Sequence, residues 1–151
     1  MGIHMIARRI GVERWQAVLA APETAWTVVG EPDLDLDKAW SGLDYLLDDA
    51  VPEEARAAIR GGVPIGEDQG YGPVRGLDPP MAAAVAAALD ATSLDALRSR
   101  YEPEVMESLD VYPGGWQGDD FDGWLSQRFA DVCAFYRSAA AEGEAALLTL
   151  T

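Results

Sequence analysis

Apolar residues recur every three or four positions between residues 36 and 50, which is the spacing of one face of an α-helix. Polar residues, mostly aspartates, occupy the opposite face of this predicted helix. Asp35 is well placed as its N-cap, because a carboxylate accepts hydrogen bonds from the free backbone N–H groups of the first turn. Trp40 is the largest apolar side chain on the face, so we expect it to be buried. Pro52 marks the end of the helix.

Similar spacing predicts helices elsewhere in the chain. The first covers residues 11–19, with Val12, Trp15 and Leu19 expected to face inward. The last has a broad apolar face, and Gly143 follows its C-terminus. Proline, aspartate and serine at helix starts predict further helices that begin at Pro52, at Asp78, at Thr92 or Ser93, at Pro103 and at about Asp119.

The two ends of the chain are predicted to be strands. Residues 3–10 are rich in apolar and β-branched side chains, and residues 145–150 form an apolar run after the last helix. A third, short strand is predicted at residues 26–29. We expect a single α+β domain over residues 1–151, in which a small mixed or antiparallel sheet includes both terminal strands and packs with several amphipathic helices.

Two irregular loops remain after these elements are placed. Residues 61–76 contain six glycines and two prolines, a composition that excludes a helix interior. Residues 111–116 form a second loop that bears aromatic side chains. Aromatic faces with a few polar groups are typical of a pocket for a small molecule or a peptide. The candidate ligand-binding residues of the two loops are Glu67, Asp68, Tyr71, Arg75, Tyr112 and Trp116.

These residues allow two interpretations. In the first, the two loops share one cleft, and the side chains of Asp68 and Arg75 point into it. In the second, Asp68 and Arg75 hold their own loop together by hydrogen bonds while the aromatic side chains pack beneath it. The second interpretation is favoured, because a long loop must satisfy its own backbone groups.

Other candidate chemistry is sparse. His4 is the only histidine, so any Ser–His or Cys–His mechanism would have to use it, and its place in a predicted strand favours a structural or exposed role. Cys133 is the only cysteine and lies on the apolar face of the last helix, where a small buried hydrophobic residue is expected. A lone cysteine excludes an internal disulfide and suits a reducing cytoplasm.

Three alternating aspartates resemble the opening of a calcium-binding EF-hand loop. They are Asp33, Asp35 and Asp37, but Lys38 stands where that loop requires glycine, and helical spacing continues through the segment. No phosphate-binding glycine motif or zinc-ligand spacing is present in the sequence. The sequence therefore predicts no metal and no cofactor.

Charge narrows the choice of partners. The chain has 26 acidic and 11 basic residues, a net charge of −15, which repels phosphate backbones and anionic membranes. Nucleic acid and membranes are therefore not expected as partners, and no apolar run is long enough for a membrane span. A basic protein or a small molecule remains, and we expect a cytoplasmic location.

Several stretches occur in the same order as in a known family. They are residues 34–40, the glycine loop with Glu67-Asp68 and residues 71–75, and Tyr112-Pro113. Over nearly its whole length the chain resembles the YfbM-like proteins, bacterial proteins known as a domain of unknown function. The resemblance implies an α+β fold and a bacterial cytoplasmic setting, and it implies no established activity, cofactor or catalytic residue. Gly11 departs from the family pattern, since in many members the first helix starts with serine at this position.

These observations predict a non-enzymatic binding or interaction module. One concrete form is an acidic antagonist, such as an immunity-type protein, of a cationic partner. The alternative is a small hydrolase-type enzyme in which the loop carboxylates Glu67 and Asp68 act as acid and base.

Overall fold

The computed structural model describes residues 2–50 and 52–151, and places helices on both faces of a five-stranded sheet. The strands are β1 (Met5–Ile10), β2 (Leu34–Asp35), β3 (Val63–Ile65), β4 (Val74–Leu77) and β5 (Ala145–Leu150). The helices are α1 (Val12–Ala20), α2 (Ala25–Val29), α3 (Trp40–Leu47), α4 (Ala57–Arg60), α5 (Pro79–Ala91), α6 (Leu94–Arg100), α7 (Pro103–Ser108) and α8 (Ser126–Glu142). Short 3₁₀ turns at Pro22–Thr24, Asp37–Ala39 and Glu53–Arg56 precede α2, α3 and α4, and a π-helical turn at Phe121–Leu125 precedes α8.

The sheet has the strand order β2-β1-β5-β4-β3, and every neighbouring pair is antiparallel. The two terminal strands pair along their whole length, from Met5 opposite Leu150 to Ile10 opposite Ala145. The predicted α+β fold, with both terminal strands in one small sheet, is confirmed, and the structure shows that the two strands are neighbours. Because the chain ends meet in the middle of the sheet, they bring distant parts of the sequence into contact.

Side chains along β5 point alternately to the two faces of the sheet, and the core has one layer on each face. Ala146 and Leu148 face the larger layer with α3, α5 and α8, whereas Ala145 and Leu147 face the smaller layer with α1 and α2. Trp40 belongs to the larger layer and is 7% exposed, which confirms its predicted burial. Both faces of the sheet are therefore covered.

The central helix begins later than its apolar spacing indicated. Residues 34–35 pair with β1 as β2, and Asp37 has a positive φ of 46°, which interrupts any continuous helix before Trp40. Asp35 Oδ1 accepts a hydrogen bond from the N–H of Asp37 at 2.8 Å, so it caps this turn and not the helix. The prediction of Asp35 as the N-cap of the helix was wrong, because the sheet pairing takes the segment before it.

Two other local predictions were also wrong. Residues 26–29 are helical, and the buried residues Ala25, Val28 and Val29 have helical spacing, whereas a short apolar run alone fits either structure. In α1, Val12 and Leu19 are 48% and 47% exposed. Trp15 and Val18 are the buried residues of α1, because the helix contacts the sheet through a narrow stripe.

The predicted helix termini after residue 77 are confirmed in detail. The N–H of Met81 donates to Asp78 Oδ1 at 2.9 Å, and the N–H of Ala96 donates to Ser93 Oγ at 3.0 Å. Gly143 ends α8 in the left-handed conformation with φ 64°. These caps depend on neighbours in sequence, which explains why they could be identified without a structure.

Among the described residues, no single helix has the length and apolar composition needed to cross a membrane. Only α5 and α6 taken together meet that requirement, and they are bent by 78° relative to each other.

Candidate functional sites

The loop over residues 61–76 holds itself together through the two charged residues that the sequence singled out. Asp68 Oδ1 accepts hydrogen bonds from the N–H groups of Gly70 at 2.6 Å and Gly72 at 3.1 Å. Arg75 donates from Nε to the carbonyl of Gly61 at 3.3 Å and from Nη2 to that of Gly62 at 3.0 Å. Both side chains thus have the structural contacts that the favoured interpretation expected. The loop also contains the antiparallel hairpin of β3 and β4, which the glycine-rich sequence did not reveal.

The other two candidates of this loop lie at the surface. Tyr71 is 56% exposed and borders a cavity together with Arg75. Glu67 is exposed and borders a different depression, together with Pro22 and Gln69. Glu67 and Tyr71 are therefore not part of one cavity.

The aromatic residues of the second loop are tied into the fold. The Tyr112 hydroxyl accepts a hydrogen bond from the N–H of Ile3 at 2.8 Å, and its ring stacks on Trp40 with 5.9 Å between centroids. Trp116 is only 4% exposed, and its Nε1–H donates to the carbonyl of Val111 at 2.9 Å. Each ring therefore has a structural role, and any ligand contact by either remains a prediction.

The two loops contribute to different surfaces. Tyr71 and Arg75 line a cavity in which Tyr112 and Trp116 take no part, whereas Trp116 borders a depression next to α7. The stack of Tyr112 on Trp40 reaches the first cavity only indirectly, since the guanidinium of Arg60 lies over the Trp40 ring at 5.8 Å from its centroid.

We call the first of these the arginine cavity. It has a volume of about 80 Å³ and lies between α4, the hairpin and the end of β5. The side chain of Arg60 is 58% exposed there. Sequence reasoning missed Arg60, because nothing local indicates that the end of α4 lies beside β5. The lining residues are Ile59, Arg60, Tyr71, Gly72, Pro73, Arg75, Leu148, Thr149 and Leu150.

We call the second the acidic face. It is an open depression of about 520 Å³ that Tyr101, Trp116 and α7 border, and it carries the carboxylates of Glu102 and Glu104. Residues 101–122 contain seven acidic residues and no lysine or arginine. This segment therefore carries seven of the 26 acidic residues of the chain, and two of them, Glu102 and Glu104, border the depression.

Tyr101 shows the effect of this charge. Burial, followed by the nearby carboxylates of Asp120 and Asp119, raises the pKa of Tyr101 to about 12. The hydroxyl donates a hydrogen bond to the carbonyl of Gln117. Burial and the two carboxylates both disfavour a negative charge on this hydroxyl.

The remaining sequence candidates have structural contacts. His4 Nδ1 lies 3.4 Å from Asp35 Oδ1 at the edge of the sheet. Cys133 is half-buried, and burial raises the pKa of its thiol, which lowers its nucleophilicity at neutral pH. The EF-hand-like aspartates bind backbone, since Asp33 Oδ2 accepts from the N–H of Arg9 at 2.8 Å and Asp37 Oδ1 from that of Ala39 at 3.0 Å.

Histidine, cysteine, aspartate and glutamate side chains do not gather in groups of three or more suited to a metal ion anywhere within residues 2–50 and 52–151.

Comparison with known proteins gives a family and a fold. The family described as "Domain of unknown function (DUF1877)" matches residues 1–149. A crystal structure of a protein of unknown function, YfbM from Escherichia coli, is similar with a TM-score of 0.77 and 19% sequence identity, covering 99% of this chain and 100% of that chain. At this identity the likeness shows the fold alone. No curated protein matches the chain.

Proposed function

The chain belongs to the DUF1877 family, and we propose that it is a non-enzymatic interaction module that binds a cationic protein through its acidic face. The observation that carries the proposal is the depression beside α7, where exposed carboxylates stand next to aromatic rings. Carboxylates attract a lysine or arginine side chain, and an aromatic face adds a cation–π contact. An immunity-type antagonist in a bacterial cytoplasm would use such a surface.

The carboxylates of the acidic face differ in how far they are neutralised. Asp122 is paired with Arg98 at 2.8 Å, and Glu107 accepts from the N–H of Trp116 at 2.7 Å. Glu102 and Glu104 are exposed and, within the described residues, have no ion pair or side-chain hydrogen bond. These two side chains are therefore available to a partner.

Apolar side chains adjoin the charged ones. Val105 is 38% exposed in the depression, and Leu109 is 59% exposed just beyond the end of α7. A protein interface needs apolar area that can be desolvated as well as charge, and steering by charge alone mainly raises the association rate. The combination favours a protein partner over a simple counterion.

The hydrolase alternative has less support. Asp68 and Glu67 are both exposed, and Asp68 Oδ1 is committed to two backbone N–H groups. An acid–base pair of carboxylates requires environments that push the two pKa values apart. Glu67 and Asp68 both lie at the surface, and Asp68 caps its own loop, so the two carboxylates do not form an enclosed site.

The proposal can be tested by removing two charges at a time. We compare E102Q/E104Q with the control E53Q/E54Q, which removes the same charge from the exposed glutamates of the turn before α4. The probe is a fluorescent peptide of alternating lysine and leucine, and its binding is measured by anisotropy at low and high salt. We expect the acidic-face pair to weaken binding by about threefold or more at low salt and the control pair by much less.

Salt should abolish most of the difference, because screening shortens the range of charge interactions to a few ångströms near 1 M salt. Equal weakening by both pairs would show that only the net charge acts, and the proposed face would then be wrong. Binding that is unaffected by either pair would also contradict the proposal.

A further inference from the structure

The arginine cavity holds two guanidinium groups that are incompletely used by the fold. Arg75 donates from Nε and Nη2 to backbone carbonyls, and its Nη1 makes no hydrogen bond to the part of the chain that the structure describes. Arg60 approaches Asp44 only to 3.9 Å and otherwise lies over the Trp40 ring. Two guanidiniums with free donors around one small cavity form a site for an anion.

The end of β5 adds backbone groups to this cavity. His4 and Thr151 exchange both of their backbone hydrogen bonds, at 2.7 and 2.8 Å. Backbone groups of successive residues in a strand point to opposite edges, so the N–H and C=O of Leu150 point away from β1, toward the hairpin. The cavity lies at that edge.

The hairpin does not use these groups of Leu150. Pairing between β4 and β5 ends at Arg75 opposite Leu148. Two residues earlier on the hairpin strand, where the partner of Leu150 would stand, the residue is Pro73, which has no N–H. Leu150 and Pro73 both line the cavity, so the strand edge is open there.

We propose that the arginine cavity binds the carboxylate of an N-acylated amino acid, the chemical form of a peptide C-terminus. The carboxylate accepts from Arg60 and Arg75, while the neighbouring amide N–H of the ligand donates to the carbonyl of Leu150. This carbonyl already accepts from Thr149 Oγ1 at 3.3 Å, and its second lone pair takes the ligand. Ile59, Leu148 and the ring of Tyr71 provide apolar contact for the ligand side chain. A volume of about 80 Å³ limits the ligand to about one residue inside the cavity.

A single carboxylate suits this molecule better than a phosphate. The net charge of −15 repels every anion, and this repulsion grows with the charge of the ligand. Two planar guanidiniums match the planar, two-oxygen geometry of a carboxylate. The amide next to the carboxylate also matches the open strand edge, which a phosphate cannot use in that way.

The experiment uses three probes with the full chain and backbone-amide NMR titration. N-acetyl-leucine is expected to bind saturably and to shift the amide signals of Leu150 and Gly72. N-acetyl-leucinamide, which has the same shape without the charge, should bind about tenfold or more weakly. Inorganic phosphate should also bind more weakly than N-acetyl-leucine.

Two variants that each remove one positive charge test whether the ligand binds in the arginine cavity. R60Q should weaken N-acetyl-leucine binding about tenfold, since it removes a charge-assisted donor. R14Q is the control, because Arg14 is exposed on α1 in the layer on the other side of the sheet. Both are surface changes, and unchanged amide spectra elsewhere would verify that each variant folds.

Three results would overturn the proposal. They are equal binding of the acid and the amide, tighter binding of phosphate than of N-acetyl-leucine, and equal weakening by R60Q and R14Q. The acidic face takes no part in this titration, so the outcome is independent of the cationic-partner proposal.

Discussion

At the scale of single residues, many carboxylates of this chain serve as caps for nearby backbone N–H groups. Asp68, Asp78 and Asp120 each accept at least one such bond from a residue within four positions in the sequence, and Asp33 accepts one from Arg9 on β1. Short acidic side chains favour this role because they reach the backbone of their own turn. Part of the acid excess is therefore structural, and only carboxylates without such bonds are free for a partner.

Asp68 allows a direct test of this role. Both of its backbone bonds end on one oxygen, so D68N can keep them and should lose less than about 0.5 kcal/mol. D68A removes the acceptor and should lower the free energy of unfolding by about 1 kcal/mol. The loss is smaller than for a buried acceptor, because Asp68 is exposed and water can replace it. Urea unfolding of the two variants measures both values. A stable D68A would contradict the structural role and support a functional one.

Asp44 should respond to pH in the opposite sense to a stabilising carboxylate. Burial raises its pKa above the usual 3.8, Arg60 opposes the shift and Asp48 adds to it. The folded state thus binds this proton more tightly than the unfolded chain does. Ionised Asp44 therefore costs stability at neutral pH, and the cost is relieved as the pH falls through the raised pKa toward 3.8.

We expect D44N to raise the free energy of unfolding at pH 7 by about 0.5 kcal/mol. Its advantage over the native chain should shrink as the pH approaches 4, where Asp44 itself becomes protonated. E67Q, which removes one charge from an exposed residue, controls for the general relief of repulsion. An advantage of D44N that grows toward low pH would contradict the raised pKa.

At the scale of elements, glycine lets α3 approach the segment before α8. A Cβ atom on Gly42 would lie 2.6 Å from Trp116 Cη2 and 3.2 Å from Leu125 Cδ2. Gly42 is buried within α3, so the absence of a side chain is what allows this close packing. The same contact holds Trp116 in place beneath the acidic face.

Two alanine substitutions test this contact. G42A should destabilise the fold by about 1–3 kcal/mol, the usual effect of overpacking, because the buried Trp116 ring must move. G123A is the matched control in the π-helical turn, where a Cβ meets no atom within 4 Å. It should stabilise the fold by about 0.5–1 kcal/mol through its better helix propensity. Thermal unfolding of both variants separates the effect of overpacking from that of helix propensity. An unchanged stability of G42A would show that the contact with Trp116 is loose.

At the scale of the whole molecule, a net charge of −15 on 151 residues makes the folded state repel itself. The ion pairs in the structure, such as Arg9 with Glu144 at 2.7 Å, neutralise only part of this excess, since acidic residues outnumber basic ones. Surface ion pairs also contribute little stability individually. Repulsion should therefore dominate the response to salt.

We predict that the melting temperature rises by several degrees between about 10 mM and 0.5 M NaCl, because salt screens the repulsion between carboxylates. Differential scanning calorimetry at neutral pH measures the shift, and equimolar steps of a second monovalent salt test whether ionic strength alone is responsible. A falling melting temperature would show that attractive ion pairs outweigh the repulsion.

The sequence by itself was sufficient for features that depend on neighbouring residues. The caps at Asp78 and Ser93, the terminal glycine of α8 and the strand over residues 145–150 follow from short-range hydrogen bonds and side-chain spacing. The resemblance to YfbM-like proteins was confirmed by the family match over residues 1–149 together with the similarity to the YfbM structure. The hydrogen bonds of Asp68 within its own loop were also predicted from the loop sequence alone.

Only the tertiary structure decided which distant segments meet. Residues 34–35 form a strand because they pair with the edge of β1. Residues 26–29 form a helix because their buried apolar side chains pack against the sheet. The arginine cavity joins Arg60, the hairpin and the end of β5, which are far apart in sequence. Such contacts arise from packing and strand pairing between remote parts of the chain, and local periodicity carries no information about them.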